Sequence, residues 1–151
     1  MRYKLAVSSW DSAEIDAIHK VIESDRYSMG GFVKDYERQF ADYLGAKHAV
    51  MVNSGSSANL LMIASLFFVK NDNYRLQRGD EIIVPSVSWS TTYAPLQQYG
   101  LKVKFVDIDR DTLNIDLNKL ENAITEKTRA ILAVNLLGNP NDFDAIKSLI
   151  S

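Results

Sequence analysis

The stretch that decides the fold is residues 50–69, VMVNSGSSANLLMIASLFFV. Apolar residues at 48–52 predict a short buried strand, the small polar residues at 53–57 break it, and an apolar helix-forming run begins at Ala58. A strand, a tight turn and a helix in this order leave backbone N–H groups unpaired at the helix start, beside the positive end of the helix dipole. Such a helix start binds anions, and phosphate in particular.

Three residues of this turn suit an anion. Gly55 lets a ligand approach the backbone closely, and the hydroxyls of Ser56 and Ser57 add hydrogen-bond donors. A simpler interpretation is that Ser56 or Ser57 only caps the helix, which is a common role of serine. The turn by itself leaves both interpretations open.

Composition narrows the class of protein. A chain of 151 residues suits one domain with a sizeable core. A net charge of −2 without a basic block argues against nucleic acid as the main partner. The absence of cysteine excludes disulfides, thiolate metal sites and a cysteine nucleophile within these residues. The apolar run at 58–69 is too short to span a bilayer, and the N-terminus has no signal-peptide core, so we expect a cytoplasmic protein.

The remaining elements alternate between helices and strands. Helices are predicted at about 12–24, 33–44, 58–69, 90–99, 116–124 and 142–150, and strands at 48–52, 81–84, 102–106 and 128–134. The second helix is predicted to bury five apolar side chains: Val33, Tyr36, Phe40, Tyr43 and Leu44. Four strand–helix repeats predict an α/β fold, a mostly parallel sheet with helices on both faces. The last helix has an apolar stripe that nothing covers, so we expect the chain to be the first part of a longer protein.

Ligands of open α/β sheets bind outside the carboxyl ends of the strands. Four predicted segments lie there: 53–57, 86–92, 107–109 and 135–139. Neither G-x-x-x-x-G-K-[ST] nor G-x-G-x-x-G follows a strand, so a phosphate bound here would not belong to a nucleotide held in either common way.

Side chains in these segments suggest different roles. Trp89 follows a strand end among serines and threonines, where an indole can stack on a flat ligand ring. The alternative is that Trp89 packs its helix onto the sheet. Asp107 and Asp109 could pair around a divalent metal, but we interpret them as shaping their loop, and we predict no metal site.

Several motifs in order resemble one enzyme family. N-S-G-S-S-A-N-L-L, G-D-E-I-I-V-P-S-V-S-W-S-T-T, F-V-D-I-D and N-L-L-G-N-P together resemble the DegT/StrS-type family of fold-type I pyridoxal-phosphate enzymes, which aminate or deoxygenate nucleotide-linked keto-sugars. The resemblance covers essentially the whole chain. It implies an N-terminal arm, helix and substrate-side loop at 1–32, followed at 33–151 by the first part of the aminotransferase-like large domain.

The resemblance also implies site residues. Cofactor-binding residues would be Gly55, Ser56 and Ser57 at the phosphate and Trp89 on the pyridine ring. Nucleotide-sugar contacts would come from Ser28, Met29 and Gly30, reaching across a homodimer interface. No catalytic residue is implied here, because the family's acid/base lysine or histidine is expected beyond residue 151. We therefore expect the 151 residues alone to be inactive.

Within the family, S-W-S-T-T-Y and L-L-G-N-P are similar to the branch that removes the C3 hydroxyl of a GDP-linked 4-keto-6-deoxy sugar. The similarity implies a lyase of deoxysugar and O-antigen lipopolysaccharide biosynthesis, using pyridoxal and pyridoxamine phosphate with an amino donor such as glutamate. One alternative is a nucleotide-sugar aminotransferase of the same family. Another is a non-catalytic phosphate-binding α/β module.

Overall fold

A computed structural model describes residues 7–150 of the chain. The expected N-terminal arm at 1–10 therefore lies mostly outside the described residues. The chain divides into two compact units, Met1–Met51 and Val52–Ser151. No helix between residues 7 and 150 combines the length and the apolar character that crossing a membrane would require.

The first unit contains helices α1 (Ser12–Glu23) and α2 (Gly31–Leu44). Helix α1 begins with a capping box: the Asp11 carboxylate accepts the N–H of Ala13, and the Glu14 carboxylate accepts the N–H of Asp11. Helix α2 ends at Gly45, which adopts the left-handed conformation that glycine takes without strain. Helix α1 therefore begins at its predicted cap and α2 ends at its predicted stop, whereas α2 starts two residues before the predicted position 33.

The predicted burial of α2 is wrong. The only buried residue of this helix is Ala41, and Tyr43 is 85% exposed. Tyr36 and Phe40 stack on each other along the helix surface, with ring centroids 5.6 Å apart. The sequence pattern correctly identifies an apolar face, but helical periodicity cannot say whether another element covers that face.

The strand predicted at 48–52 is also absent from the described residues. Val50 is exposed, and the N–H of Met51 donates to the Glu37 carboxylate at 2.8 Å instead of to a neighbouring strand. An apolar run favours an extended backbone, but a strand forms only where a second strand accepts its hydrogen bonds.

The second unit is built on three parallel strands, β1 (Glu81–Pro85), β2 (Lys102–Val106) and β3 (Thr128–Ile131), in the order β2-β1-β3. Its helices are α3 (Gly55–Leu66), α4 (Ser90–Gln98), α5 (Leu117–Ala123) and α6 (Phe143–Ile150). Strand β2 has the predicted bounds, whereas β3 ends three residues early, since its ladder to β1 ends near Ile131.

The central strand β1 separates two apolar cores. One core contains Ile63, Leu76, Ile82, Val84, Leu96 and Leu101. The other contains Ile83, Val106, Ile115, Leu120 and Ile146. Alternate residues of a strand point to opposite faces, so β1 contributes to both cores. Helices α3 and α4 contribute to the first core and α5 and α6 to the second, which confirms the predicted α/β fold with helices on both faces.

Candidate functional site

The first half of the candidate site is the start of α3. Ser54 is the N-cap: its hydroxyl accepts the N–H of Ser57 at 3.2 Å, and its carbonyl accepts the N–H of Ala58 at 3.0 Å. The predicted start at Ala58 is three residues late, and a cap at Ser56 or Ser57 is wrong. Because Ser54 caps the helix, residues 55–57 form its first turn.

This first turn is open to an anion. Within the described residues, neither the N–H of Gly55 nor that of Ser56 meets an acceptor, and the turn contains no acidic residue. A Cβ at Gly55 would meet no atom within 4 Å, so the space beside its backbone is empty. The dipole's positive end and two free donors therefore face an accessible region.

The second half is the turn after β1, which carries Trp89. The residue is the N-cap of α4, and its indole is 76% exposed. The backbone on either side is fixed, because Ser88 and Thr92 share a hydroxyl hydrogen bond of 2.8 Å and the N–H of Thr92 donates to the Trp89 carbonyl at 2.9 Å. The packing interpretation of Trp89 is wrong, because the residue is largely exposed and does not pack its helix onto the sheet.

Tyr93 strengthens the same turn, and sequence reasoning missed it. Its hydroxyl donates to the Pro85 carbonyl at 2.8 Å, and its ring meets the edge of Phe105 with centroids 5.2 Å apart. Burial raises the pKa of Tyr93 above its ordinary value, so the hydroxyl keeps its proton for this bond at neutral pH. The sequence signal for this contact was a tyrosine three residues after the start of a helix, which places its hydroxyl near the end of the preceding strand.

The two halves line one open cavity of about 660 Å³. It is lined by Gly55, Ser56, Asn59, Val87, Ser88, Trp89, Thr91, Thr92, Val134, Leu136 and Leu137. Three of the four predicted strand-end segments thus meet at one place. Ser57 is not among the lining residues; it borders a smaller neighbouring groove with Ser56.

The fourth segment, 107–109, does not line this cavity. The Asp107 carboxylate accepts the Ser86 hydroxyl at 3.2 Å and the Lys119 ammonium at 3.0 Å. Asp109 accepts the N–H and the hydroxyl of Thr112, both at 2.8 Å. These partners lower the pKa of both carboxyl groups, with Lys119 the largest cause at Asp107 and the Thr112 N–H the largest at Asp109. Asp109 therefore shapes its own loop, as predicted, whereas Asp107 ties the loop to the turn after β1 and to α5.

The predicted substrate-side residues lie in the first unit. Ser28, Met29 and Gly30 line a second cavity, of about 910 Å³, together with Arg26. A Cβ at Gly30 would lie 2.6 Å from Cδ of Arg26, so a side chain at this position would require the arginine side chain to move. Among the described residues, no carboxylate lies within ion-pair distance of Arg26.

The cavity of the second unit is lined by uncharged groups. Its lining side chains are hydroxyl, amide, indole and aliphatic groups, and none of them is an acid, a lysine or a histidine. A ligand with a phosphate and a flat ring matches both of its ends.

The chain belongs to the DegT/DnrJ/EryC1/StrS aminotransferase family, whose family model matches residues 8–151. The family expected from the sequence motifs is thereby confirmed.

Its relatives include sugar dehydratases. The chain is 64% identical over 149 residues to GDP-4-keto-6-deoxy-D-mannose 3-dehydratase of Yersinia pseudotuberculosis, covering 99% of this chain and 37% of that protein. It is 63% identical over 150 residues to the enzyme of the same name from Escherichia coli O55:H7, covering 99% and 38%.

The solved structures to which the chain is similar include a dehydratase of the same kind. A crystal structure of GDP-4-keto-6-deoxymannose-3-dehydratase with a trapped PLP-glutamate geminal diamine superposes with a TM-score of 0.94 at 62% identity, over 99% of this chain and 38% of that one. The chain thus spans 37–38% of the length of these relatives. Its fold is a part of the aminotransferase-like domain, as expected.

Proposed function

We propose that the chain forms the phosphate-binding and ring-facing parts of a pyridoxal-phosphate site. The enzyme would remove the C3 hydroxyl of a nucleotide-linked 4-keto-6-deoxy sugar, as GDP-4-keto-6-deoxy-D-mannose 3-dehydratase does, in deoxysugar and O-antigen biosynthesis. The observation that carries the proposal is the shared cavity: an uncompensated helix start with Gly55 and Ser56 lies on one part of its lining, and the exposed indole of Trp89 on another.

The residues fit the group. The phosphate would accept the N–H groups of Gly55 and Ser56 and the Ser56 hydroxyl, since none of these is engaged within the described residues. Ser57 would contribute less directly, because its N–H already donates to the Ser54 hydroxyl and the residue does not line the cavity. Its hydroxyl accepts from Ser54 and keeps its own proton to donate. Trp89 would cover one face of the pyridine ring and hold it flat. The cofactor, when bound, supplies an electron sink that permits loss of a hydroxyl beside a keto carbon.

In this proposal the described residues bind and orient. The cavity lining contains no acid or base, so the proton-transferring residue would lie in sequence that follows residue 151 in a protein of the relatives' length. The 151 residues on their own would then bind cofactor and catalyse nothing. We further propose that the enzyme is cytoplasmic, because a biosynthetic enzyme for nucleotide-sugars requires no membrane anchor. We also propose that it is a homodimer, as the family resemblance implies.

The nucleotide-sugar would contact the loop of the first unit. Arg26, which forms no ion pair with a carboxylate of residues 7–150, lines an open cavity with Ser28, Met29 and Gly30. A guanidinium pairs well with a diphosphate. Glutamate would serve as the amino donor, in keeping with the glutamate adduct named for the related crystal structure.

The alternative within the family is an aminotransferase. It draws support from dTDP-3-amino-3,6-dideoxy-alpha-D-galactopyranose transaminase of Aneurinibacillus thermoaerophilus, to which the chain is 38% identical over 86% of its length. The 64% identity to a dehydratase favours dehydration. A non-catalytic phosphate-binding module is a weaker candidate, because it gives the exposed indole no role.

Titration of the intact protein with pyridoxal 5'-phosphate, with and without glutamate, tests the cofactor. Incubation with GDP-4-keto-6-deoxymannose then tests the reaction, with the product analysed by mass. Release of a 3-deoxy sugar supports the dehydratase, and an amino sugar would support the aminotransferase instead. Absence of a saturable change in cofactor absorbance would refute the site itself.

A further inference from the structure

Helix α4 contains a buried proline, Pro95, in its interior. In an α-helix the N–H of residue 95 would donate to the carbonyl of residue 91, and proline has no N–H. The Thr91 carbonyl therefore lacks its regular helical donor. Thr91 is half-buried, where an unpaired carbonyl is costly.

The missing donor comes from the other half of the cavity. The side-chain amide of Asn59 in α3 donates to the Thr91 carbonyl at 3.2 Å. Asn59 follows Ser56 by three residues and so lies on the same side of α3, while Thr91 follows Trp89 by two. The bond therefore joins the two elements that carry the phosphate-binding turn and the indole.

We propose that Asn59 is a positioning residue for the cofactor: it takes the place of the donor that Pro95 lacks, and in doing so sets the separation between the start of α3 and the Trp89 turn. The inference rests on the proposed function. Apolar contacts between the helices, such as those of Ile63 and Leu96 in the core, are non-directional. A hydrogen bond is satisfied only within a few tenths of an ångström, so it fixes the separation more closely.

The Asn59 amide has two proposed roles: it supplies a donor to the Thr91 carbonyl, and it links α3 to the Trp89 turn. The substitution Pro95→Ala separates them, because it returns an N–H to position 95. In the intact protein, Asn59→Ala is expected to lower Tm by about 2–4 °C, because it leaves the Thr91 carbonyl unpaired. In the Pro95→Ala background the same change is expected to leave Tm nearly unaltered. The dissociation constant for pyridoxal 5'-phosphate is expected to rise about three- to tenfold in both backgrounds, because the link between the helices is lost in each.

A readout on the cofactor-free protein keeps this inference distinct from the proposed function. The 151 residues contain two tryptophans, Trp10 and Trp89. Replacing Trp10, and any tryptophan outside these residues, with phenylalanine leaves Trp89 as the only tryptophan emitter. Asn59→Ala is expected to shift Trp89 anisotropy in both backgrounds. If the protein without substitutions binds no pyridoxal 5'-phosphate, the proposed function fails, and the anisotropy and Tm measurements still decide the link between the helices.

Asn122→Ala is the matched control, because the Asn122 amide donates to a carbonyl of its own helix at 2.8 Å and lines no part of the cavity. It should leave both the dissociation constant and the anisotropy unchanged. Equal Tm losses from Asn59→Ala in the two backgrounds would overturn the replacement of the Pro95 donor. Recovery of cofactor affinity and anisotropy by Pro95→Ala would overturn the positioning role, leaving Asn59 a purely structural residue.

Discussion

Helices α3 and α5 lie in the same unit, but the residues that cap their N-termini differ in charge. At α5 the cap is Asp116, whose carboxylate accepts the N–H groups of Asn118 and Lys119 at 3.0 and 3.1 Å. At α3 the cap is Ser54, a neutral residue that accepts one N–H, that of Ser57. The start of α5 is neutralised by its own Asp116 side chain, whereas the start of α3 still has free N–H donors.

The difference is useful for finding anion sites. Every helix start has a positive dipole end, so the feature by itself identifies no site. A carboxylate cap places a negative charge where a phosphate would go, which closes the α5 start to anions. A serine cap satisfies the helix without that charge, and the turn at Gly55 and Ser56 stays open.

The strongest test of this comparison converts the open start into a closed one. Ser56→Asp places a carboxylate at the second helical position of α3, and Asn118→Asp does the same in α5. We expect Ser56→Asp to weaken binding of pyridoxal 5'-phosphate by about a hundredfold or more, because like charges in contact cost several kcal/mol. Absorbance titration of the intact protein measures the dissociation constant.

Asn118→Asp should leave that dissociation constant unchanged. Both substitutions place an acid near a helix start, so neither should destabilise the fold by this mechanism, which thermal unfolding would check. Equal affinity of the Ser56→Asp protein and the parent would mean that the phosphate binds elsewhere.

The second test concerns the ring-facing part of the open site. Trp89→Ala is expected to weaken cofactor binding about three- to tenfold, through loss of a stacked aromatic face. Since the indole is largely exposed, the melting temperature should change little. Trp10→Ala, which removes an exposed indole of the first unit, serves as the control and should affect neither quantity.

The comparison also indicates what the sequence could predict. The Asp116 cap, the limits of β2 and the open turn near Gly55 were all predictable, since each depends on residues close together in the chain. The family resemblance added a predicted role for Trp89 at the cofactor ring, which the local sequence pattern left undecided.

Features that depend on distant partners were not predictable. Residues 48–52 have the composition of a strand, yet no strand among the described residues accepts their hydrogen bonds. The exposed face of α2 and the bond from Asn59 to Thr91 likewise depend on what another element does or does not supply. Pro95 was the one local clue to that bond, because it leaves a carbonyl four residues earlier without its donor.

The third test compares the two caps by their cost. Ser54→Ala and Asp116→Ala are each expected to lower the free energy of unfolding by about 0.5–2 kcal/mol, with the larger loss at Asp116 because it satisfies two N–H groups. Denaturant unfolding measures both. A larger loss at Ser54 would show that the open start depends on its cap more than its single bond implies.

The smallest expected effect concerns the response to acid of the 107–109 loop, which lies between β2 and α5. Asp107 is exposed, and the nearby Lys119 ammonium lowers the pKa of its carboxyl group below the ordinary value of 3.8. A carboxyl group with a lowered folded-state pKa stabilises the fold above its unfolded pKa, and that contribution is lost as the pH falls through the folded value. Unfolding measured between about pH 6 and about pH 2 should therefore show a shallower acid loss in Asp107→Asn than in the parent protein.

Some acid sensitivity should remain in that variant, because the N–H and hydroxyl of Thr112 lower the pKa of Asp109 in the same loop. Lys119 adds a dependence of opposite sign: Asp107 raises the pKa of its ammonium, so its contribution is present below the ordinary lysine value and lost as the pH rises through the folded one. Cofactor affinity at neutral pH should be unaffected by Asp107→Asn, since asparagine retains an oxygen to accept the Ser86 hydroxyl. A loss of affinity would mean that the 107–109 loop also supports, through Ser86, the turn after β1 that carries Trp89.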